Sequence, residues 1–425
     1  MARGWLIAAP QSGAGKTTVT LAVLRALRDR GTSVAPFKSG PDYIDPAFHE
    51  AAAGAISFNL DAWAMRPERL RALVAAASGP VIVEAAMGLF DGAADGSGSA
   101  AELARLLDLD VILVVDCARQ SHSVAALVHG FATFDPALRI AGIVLNRVAS
   151  ARHEAMLRAA LRDHHVLGAV PRDAALALPE RHLGLVQARE RADLETFLLG
   201  LGRMAERHLD LSIFEGAAYA SRAGFAGALE PLGQRIAIAH DEAFAFAYPH
   251  WLADWRGQGA AILPFSPLAD EGPPDDADAV FLPGGYPELH GGRLANAAGF
   301  RERLREAAAR GATIYGECGG YMVLGEALTD AEGATHRMTG LLPVETSFET
   351  PRRHLGYREI GVLDGTLMGH QRFRGHEFHY STCMPGRGTP LFHATDALGR
   401  DLGSTGLRAG NVAGGWLHLI DGIAE

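Results

Sequence analysis

Cysteine is scarce in this chain: 425 residues hold three, Cys117, Cys318 and Cys383. The number is odd, the three lie far apart and no two have metal-ligand spacing. That argues against a disulfide framework and points to a reducing compartment. Basic charge is in deficit too. Lys and Arg number 39 against 49 Asp and Glu, a net charge of −10, whereas general nucleic-acid binding needs a basic face. A local basic pocket for an anionic ligand is still compatible with that balance. Long apolar runs are also missing. The first run, Trp5 to Ala9, ends in a Gly-rich turn. It is too short for a signal peptide and far below the about 20 residues of a membrane-spanning helix. The expectation is a cytoplasmic protein with neither membrane nor nucleic acid among its partners. Fixed-period repeats and low-complexity tracts are absent as well.

What is present is globular material, 48% apolar and 21% charged, at a length that suits two or three domains. Short apolar runs bounded by turns read as buried strands: Trp5–Ala9, Val34–Phe37, Val81–Glu84, Val111–Asp116 and Ile140–Asn146, with Gly168–Pro171 ending a further one. Amphipathic segments such as Thr18–Arg30 and Ala100–Leu107 read as the helices between them. This alternation predicts a doubly wound α/β domain with a parallel sheet. Periodicity dissolves from about Arg207 to Gln234 and then restarts. Arg235–Ala239, Ala261–Pro264, Ala279–Leu282 and Thr313–Tyr315 read as strands, and Asn296–Arg310 as a helix ended by Gly311. The expected organisation is a first domain over 1–207, a linker over 208–233 and a second α/β domain over 234–425.

Gly13-Ala-Gly-Lys-Thr-Thr18 follows a predicted strand and opens a predicted helix, which is the setting a phosphate-cradling loop requires. Backbone amides of Ser12, Gly13, Ala14 and Gly15 would face the phosphates, beside Thr18, at the positive end of the helix. Lys16 would reach the β- and γ-phosphates and the Thr17 hydroxyl would ligate Mg²⁺. Pro10 occupies the place of the motif's usual first glycine. The bland alternative is a Gly-rich turn without nucleotide. Glu84 ends an apolar strand, where a carboxylate would meet the metal. Asp116 ends another, Asp91 follows in Met87-Gly-Leu-Phe-Asp-Gly92, and Asp42 and Asp45 flank Tyr43. A single acid at a strand end is usually a turn or cap residue. Several at the ligand-binding end of one parallel sheet point to a site.

In the second half, Gly316-Glu-Cys-Gly-Gly320 stands between the strand Thr313–Tyr315 and an apolar helical pattern, Tyr321–Leu328. This is a nucleophile elbow with Cys318 in the nucleophile position. A helix N-terminus there is expected to lower the thiol pKa. Cys117 and Cys383 read as inert packing. His418, in Trp416-Leu-His-Leu419, is the candidate base, distant in sequence. The amides of Gly284 and Gly285, in Pro283-Gly-Gly-Tyr-Pro-Glu288, are candidates for an oxyanion hole. His376 and His379 in Arg374-Gly-His-Glu-Phe-His-Tyr380 suggest a metal, but without a third ligand a structural or interface role is the preferred reading.

Several segments together resemble the cobyrinate/hydrogenobyrinate a,c-diamide synthase family. They are Pro10-Gln-Ser-Gly-Ala-Gly-Lys-Thr17, Phe37-Lys-Ser-Gly-Pro-Asp-Tyr-Ile-Asp-Pro46, Met87–Gly92, Gly142-Ile-Val-Leu-Asn-Arg-Val148 and Leu178-Pro-Glu-Arg-His-Leu-Gly-Leu185. The proline in the loop is also similar to dethiobiotin synthetases, and the C-terminal half resembles class I glutamine amidotransferases. The resemblance implies that Mg-ATP phosphorylates side-chain carboxylates of a corrin, and that ammonia released from L-glutamine at Cys318 displaces the phosphate. It implies charge neutralisation by Lys16 and Lys38, metal at Thr17 and Glu84, and intermediate handling by Asp42, Tyr43, Asp45 and Asp91. Arg147, Arg172, Arg181 and His182 would meet the substrate's carboxylates. Asp61-Ala-Trp-Ala-Met65 looks more like the cobalt-free branch of the family. Most class I members carry a Glu two residues after the histidine, where this chain has Ile420, so another acid orients His418 or a Cys–His dyad suffices. A homodimer is left open.

Three rival readings weigh less. The nearest is a relative with the same chemistry on cobyrinate or another tetrapyrrole, such as sirohydrochlorin. A partitioning ATPase would carry a signature lysine where Gln11 stands, and would lack the elbow. A synthetase with a purely structural C-terminal half would keep the ATP site alone.

Overall fold

The computed structural model describes residues 4–173, 180–181, 184–185, 187–214, 228–385 and 388–423. The chain divides into two compact units, Met1–Ala226 and Gly227–Glu425.

The first unit carries seven main strands: β1 (Gly4–Ala8), β2 (Ala35–Ser39), β3 (Phe58–Leu60), β4 (Val81–Glu84), β5 (Leu109–Asp116), β6 (Ile140–Val148) and β7 (Val166–Pro171). They form one sheet in the order β3-β2-β4-β1-β5-β6-β7, and every pairing is parallel. The helices are α1 (Lys16–Asp29), α2 (Ile44–Ala53), α3 (Pro67–Ala75), α4 (Ala100–Leu107), α5 (Val124–Phe134), α6 (Ala151–Ala160) and α7 (Leu194–His208). Every residue of β1 and β4 is buried, which is why these strands appear as unbroken apolar runs: helices cover both faces of the sheet. Ser99 caps α4 by accepting from the Glu102 amide, and α4 spans the residues expected of it. A two-stranded hairpin, β8 (Glu180–Arg181) and β9 (Gly184–Leu185), follows β7. Trp5 packs edge-on against Phe214, so the chain beyond α7 still belongs to this core.

In the second unit, β10 (Arg235–Ala239), β11 (Ala261–Phe265), β12 (Ala279–Leu282) and β13 (Thr313–Glu317) are the strands expected from the apolar runs. The helices are α8 (Pro249–Gly257), α9 (Gly291–Asn296), α10 (Ala298–Ala309) and α11 (Gly319–Leu324). The helix expected over Asn296–Arg310 begins one element later, because Ala297 takes ψ 76 and separates α9 from α10. The helical reading of Tyr321–Leu328 stops at Leu324, where Gly325 leaves helical geometry and β14 (Ala327–Thr329) begins.

The remaining strands are β15 (Thr335–Arg337), β16 (Val344–Ser347), β17 (His354–Val362), β18 (Arg372–His379), β19 (Thr382–Pro385), β20 (Thr389–Asp396), β21 (Asp401–Ala409), β22 (Val412–Gly415) and β23 (His418–Gly422). The main sheet runs β11-β10-β12-β13-β22-β21-β20-β17-β18-β23. It is parallel from β11 to β22 and antiparallel beyond. The second unit is therefore α/β as expected, with an antiparallel extension that the sequence reading did not identify. Strands β17, β20 and β21 mix buried with half-exposed and exposed positions, and β17 and β21 hold two glycines each, so their apolar runs are too broken to stand out.

Leu6 lies at the centre of β1 and is fully buried. Leu6→Ala should lower unfolding stability of the first unit by about 2–5 kcal/mol, checked by denaturant titration followed by circular dichroism.

Candidate functional site

In the first unit the site grows from strand register. β1 and β4 place Ile7 beside Glu84, β2 and β4 place Lys38 beside Glu84, and β5 and β6 place Asp116 beside Asn146. These are carboxyl ends of neighbouring parallel strands, where ligands of open α/β sheets bind. The loop after β1 carries Gly13 at φ 74 and Gly15 at φ 93, left-handed values that favour glycine. A Cβ on Gly15 would lie 2.1 Å from Asn146 Nδ2, and that same amide donates to the Ala14 carbonyl at 2.8 Å. Asn146 therefore pins the loop from the end of β6.

Below the loop is a buried charge cluster. Glu84 is wholly enclosed. Its Oε1 accepts from Thr17 Oγ1 at 2.6 Å and from Lys38 Nζ at 3.0 Å, and its Oε2 meets His49 Nε2 at 2.7 Å. Lys38 also pairs closely with Asp45 and lies 3.8 Å from Asp42. Burial alone would raise the Glu84 pKa, but Lys38, His49 and Thr17 hold it well below the carboxylate range. Burial opposes the charge on Lys38, yet Asp45, Glu84 and Asp42 keep it firmly protonated. Burial and the neighbouring Asp42 push Asp45 up. Lys16, itself buried, is pulled down by burial and by Lys38, against the attraction of Glu84, Asp45 and Asp91. Its Nζ lies 3.4 Å from the Gln11 carbonyl.

Other first-unit candidates are placed less centrally. Asp42 Oδ1 accepts from the amides of Ile44 and Asp45, so that oxygen caps α2. Tyr43 is the N-cap residue of α2. Asp91 Oδ2 accepts from the Gly88 amide at 2.8 Å. Arg147, at φ 57, pairs with Asp116 at 2.5 Å, and Arg172 is exposed beyond β7. His182 and the side chain of Arg181 lie outside the described residues.

In the second unit, Gly284 follows β12, Cys318 follows β13 and His418 begins β23 just beyond β22. A Cβ on Gly284 would fall 2.5 Å from His418 Cε1 and 3.4 Å from Cys318 Cβ, so imidazole and thiol flank one point. Cys318 takes φ 47 and ψ −105 at the start of α11, the strained turn of an elbow. Close packing shapes that turn: a Cβ on Gly320 would lie 1.9 Å from the Leu282 carbonyl, and one on Gly285 2.0 Å from the Ala243 carbonyl.

The expectation of a lowered thiol pKa is overturned. Burial pushes the Cys318 thiol up, Glu288, Glu317 and Glu377 add to the rise, and the Gly319 amide only partly offsets them. Burial, with His376 and His379, keeps the His418 imidazole well down. At rest the pair is a neutral thiol beside a neutral imidazole. Glu288, raised by burial to about 7, has an enclosed Oε2 without a hydrogen-bond partner.

His379 does gain companions, since its ligand atoms, those of His354 and those of Glu377 lie within 4.8 Å of one another. The His354 and His379 rings, however, stack at 4.6 Å and 10°, so their in-plane lone pairs do not converge on one ion. Arg358 holds Glu377 at 2.7 Å, and His379 stacks on Trp416 at 4.3 Å.

The first unit matches the CobQ/CobB/MinD/ParA nucleotide binding domain over residues 5–186, and the second the CobB/CobQ-like glutamine amidotransferase domain over residues 235–422. Over 440 residues the chain is 57% identical to the hydrogenobyrinate a,c-diamide synthase of Brucella anthropi, covering 100% of this chain and 99% of the relative. The chain belongs to the hydrogenobyrinate a,c-diamide synthase family. Similar members of that family come from Rhizobium meliloti, 57% identical with 98% of this chain and 99% of the relative covered, and from Rhodobacter capsulatus, 53% identical with 99% of each covered. Matches of this length to diamide synthases leave the partitioning-ATPase reading without support.

The sequence reading of this family member missed His49, Asn146 and Glu317. Asp45 and His49 are four residues apart on α2, a spacing that puts both on one face. Asn146 lay inside a family-like segment but carried no charge to draw notice. Glu317 adjoins Cys318, and only the fold brings its carboxyl toward His418. Gly320→Ala should drive a Cβ into the Leu282 carbonyl and cost about 1–3 kcal/mol, seen as a lower thermal midpoint for the second unit.

Proposed function

We propose that this chain amidates the a and c side-chain carboxylates of hydrogenobyrinate in cobalamin biosynthesis, consuming ATP and L-glutamine. One observation carries the reading: a phosphate loop over buried lysines and a thiol–imidazole elbow occur on one chain that is 57% identical, end to end, to a synthase of that name.

A carboxylate is a poor electrophile with a poor leaving group, and an acyl phosphate corrects both. ATP phosphates lie on the amides of residues 12–15 at the start of α1, with Thr18 beside them. A substrate carboxylate oxygen attacks the γ-phosphorus and ADP leaves, while Lys16 and Lys38 neutralise charge on the phosphoryl oxygens. Ammonia then attacks the acyl carbon and phosphate departs, leaving the amide. Asp42, Asp45 and Asp91 orient the intermediate and the incoming ammonia. Mg²⁺ suits this donor set: the Thr17 hydroxyl and the Glu84 carboxylate would hold it, in a cluster where Asp42, Asp45, Glu84 and Asp91 outnumber Lys16 and Lys38. Bound there, the metal supplies screening of phosphate charge. Tyr43 acts with Asp42, Asp45 and Asp91 on the intermediate, and Arg147 and Arg172, with Arg181 and His182, recognise the corrin's carboxylates.

At the second site the Cys318 proton passes to His418, and the thiolate attacks the glutamine carboxamide carbon. The Gly284 and Gly285 amides receive the oxyanion, and His418 returns the proton to the departing ammonia. Water then hydrolyses the thioester to glutamate. The three cysteines, none of them disulfide-bonded, suit a reducing cytoplasm. Among the described residues no helix is long and apolar enough to cross a membrane.

Incubating hydrogenobyrinate and cobyrinate separately with ATP, Mg²⁺ and glutamine, and counting amides by mass, tests the substrate. Two added amides on hydrogenobyrinate are expected, and none would overturn the reading. Cys318→Ser should reduce glutamine-driven amidation at least about 100-fold while ammonium salt restores it. Lys16→Ala should lose about 10²–10³-fold with either nitrogen source, measured as ADP release.

A further inference from the structure

We infer that Glu317 is the acid that positions His418, supplied by the residue before the nucleophile because Ile420 occupies the place two residues after the histidine. The inference rests on the proposed glutaminase role of Cys318 and His418.

Glu317 is the last residue of β13 and only 1% exposed. Its Oε1 accepts from Tyr315 Oη at 3.1 Å and from the Leu419 amide at 3.1 Å. These two donors fix the carboxyl, and Oε2 faces His418 Nδ1 at 3.8 Å. The anchoring amide belongs to the residue after His418, so acid and ring are tied to the same stretch of β23. Ile420 has a different task, since its carbonyl accepts from His250 Nε2 at 2.8 Å and Trp251 Nε1 at 3.3 Å.

Other ionisable groups surround the ring. His376 pairs with His418 across β18 and β23, with ring centroids 5.7 Å apart. His379 and Glu377 act from the same strand, while Cys318 and Glu288 occupy the thiol side. Glu377 is committed elsewhere: Arg358 holds one oxygen at 2.7 Å and His379 the other at 3.1 Å. Among the described residues Glu317 presents a carboxylate oxygen to Nδ1, at 3.8 Å. Accepting the Nδ1 proton fixes the tautomer that leaves Nε2 as base for the thiol. When His418 takes that proton, the imidazolium draws the carboxylate in from ion-pair to hydrogen-bond distance.

The arrangement has a signature in pH. Burial raises Glu317 to about 8, and its ionised form is the one that serves His418. Glutamine hydrolysis should therefore rise with pH through that value. His418, held low by burial, is already neutral there.

The test measures kcat and KM for glutamine hydrolysis against pH in the full-length protein and its variants. Glu317→Gln should lower kcat about 10²-fold or more, leave KM nearly unchanged and remove the limb near pH 8. Tyr315→Phe removes a donor to the carboxylate and should move that limb to higher pH. His376→Ala should leave the limb in place. Ammonium-driven synthesis reports whether each variant is folded. If Glu317→Gln does not fold, Tyr315→Phe decides, and an unmoved limb overturns the inference. So does Glu317→Gln with wild-type kcat and profile, provided Cys318→Ser is inactive with glutamine. Hydrolysis surviving in Cys318→Ser would instead defeat the underlying glutaminase reading.

Discussion

Parallel strands covered on both faces have one place where loops from neighbouring strands can converge, the edge formed by their carboxyl ends. Both units of this chain are built around that constraint. In the first, register alone sets Glu84 between β1 and Lys38, and Asp116 beside Asn146. In the second, β12, β13 and β22 are neighbours, so segments starting near residues 284, 318 and 418 meet although they are far apart in the chain. The chemistry of each unit follows from which side chains these strand ends deliver.

The two sites handle burial differently. In the first unit charge is kept buried by mutual pairing: Glu84 contacts Thr17, Lys38 and His49, and Lys38 contacts Asp45. Such a cluster is costly to assemble and, once assembled, resists rearrangement. Its electrostatic field is accordingly fixed and not flexible. In the second unit burial suppresses charge, raising the thiol and lowering the imidazole. The result is a neutral thiol beside a neutral imidazole in an enclosed elbow.

The closed elbow depends on close backbone approach. Gly284 leaves room for the His418 ring, Gly320 for the Leu282 carbonyl, and Cys318 itself holds a positive φ of 47°. Strain of this kind persists where the surrounding structure over-determines it. Here the Cys318 amide donates to the Gly415 carbonyl at 2.8 Å, so the neighbouring strand helps to hold the turn.

Local chemistry made much of this readable from the chain itself. Unbroken apolar runs announced the buried parallel strands, a glycine-rich turn announced the phosphate loop, and glycines around Cys318 announced the elbow, because each is a property of a few adjacent residues. Tertiary structure decided the rest. The antiparallel strands β17, β20 and β21 lack continuous apolar runs and take their places from pairing across the sheet. His49 against Glu84, Asn146 against Ala14 and Glu317 toward His418 join residues 35, 132 and 101 positions apart. The thiol's raised pKa is equally out of reach of a motif, since it depends first on enclosure and, besides the adjacent Glu317, on Glu288 and Glu377, which are remote in the chain. A sequence fixes which groups are available and how neighbours along the chain turn. Distances between remote groups, and the burial that sets their charge, exist only after the sheet has closed around them.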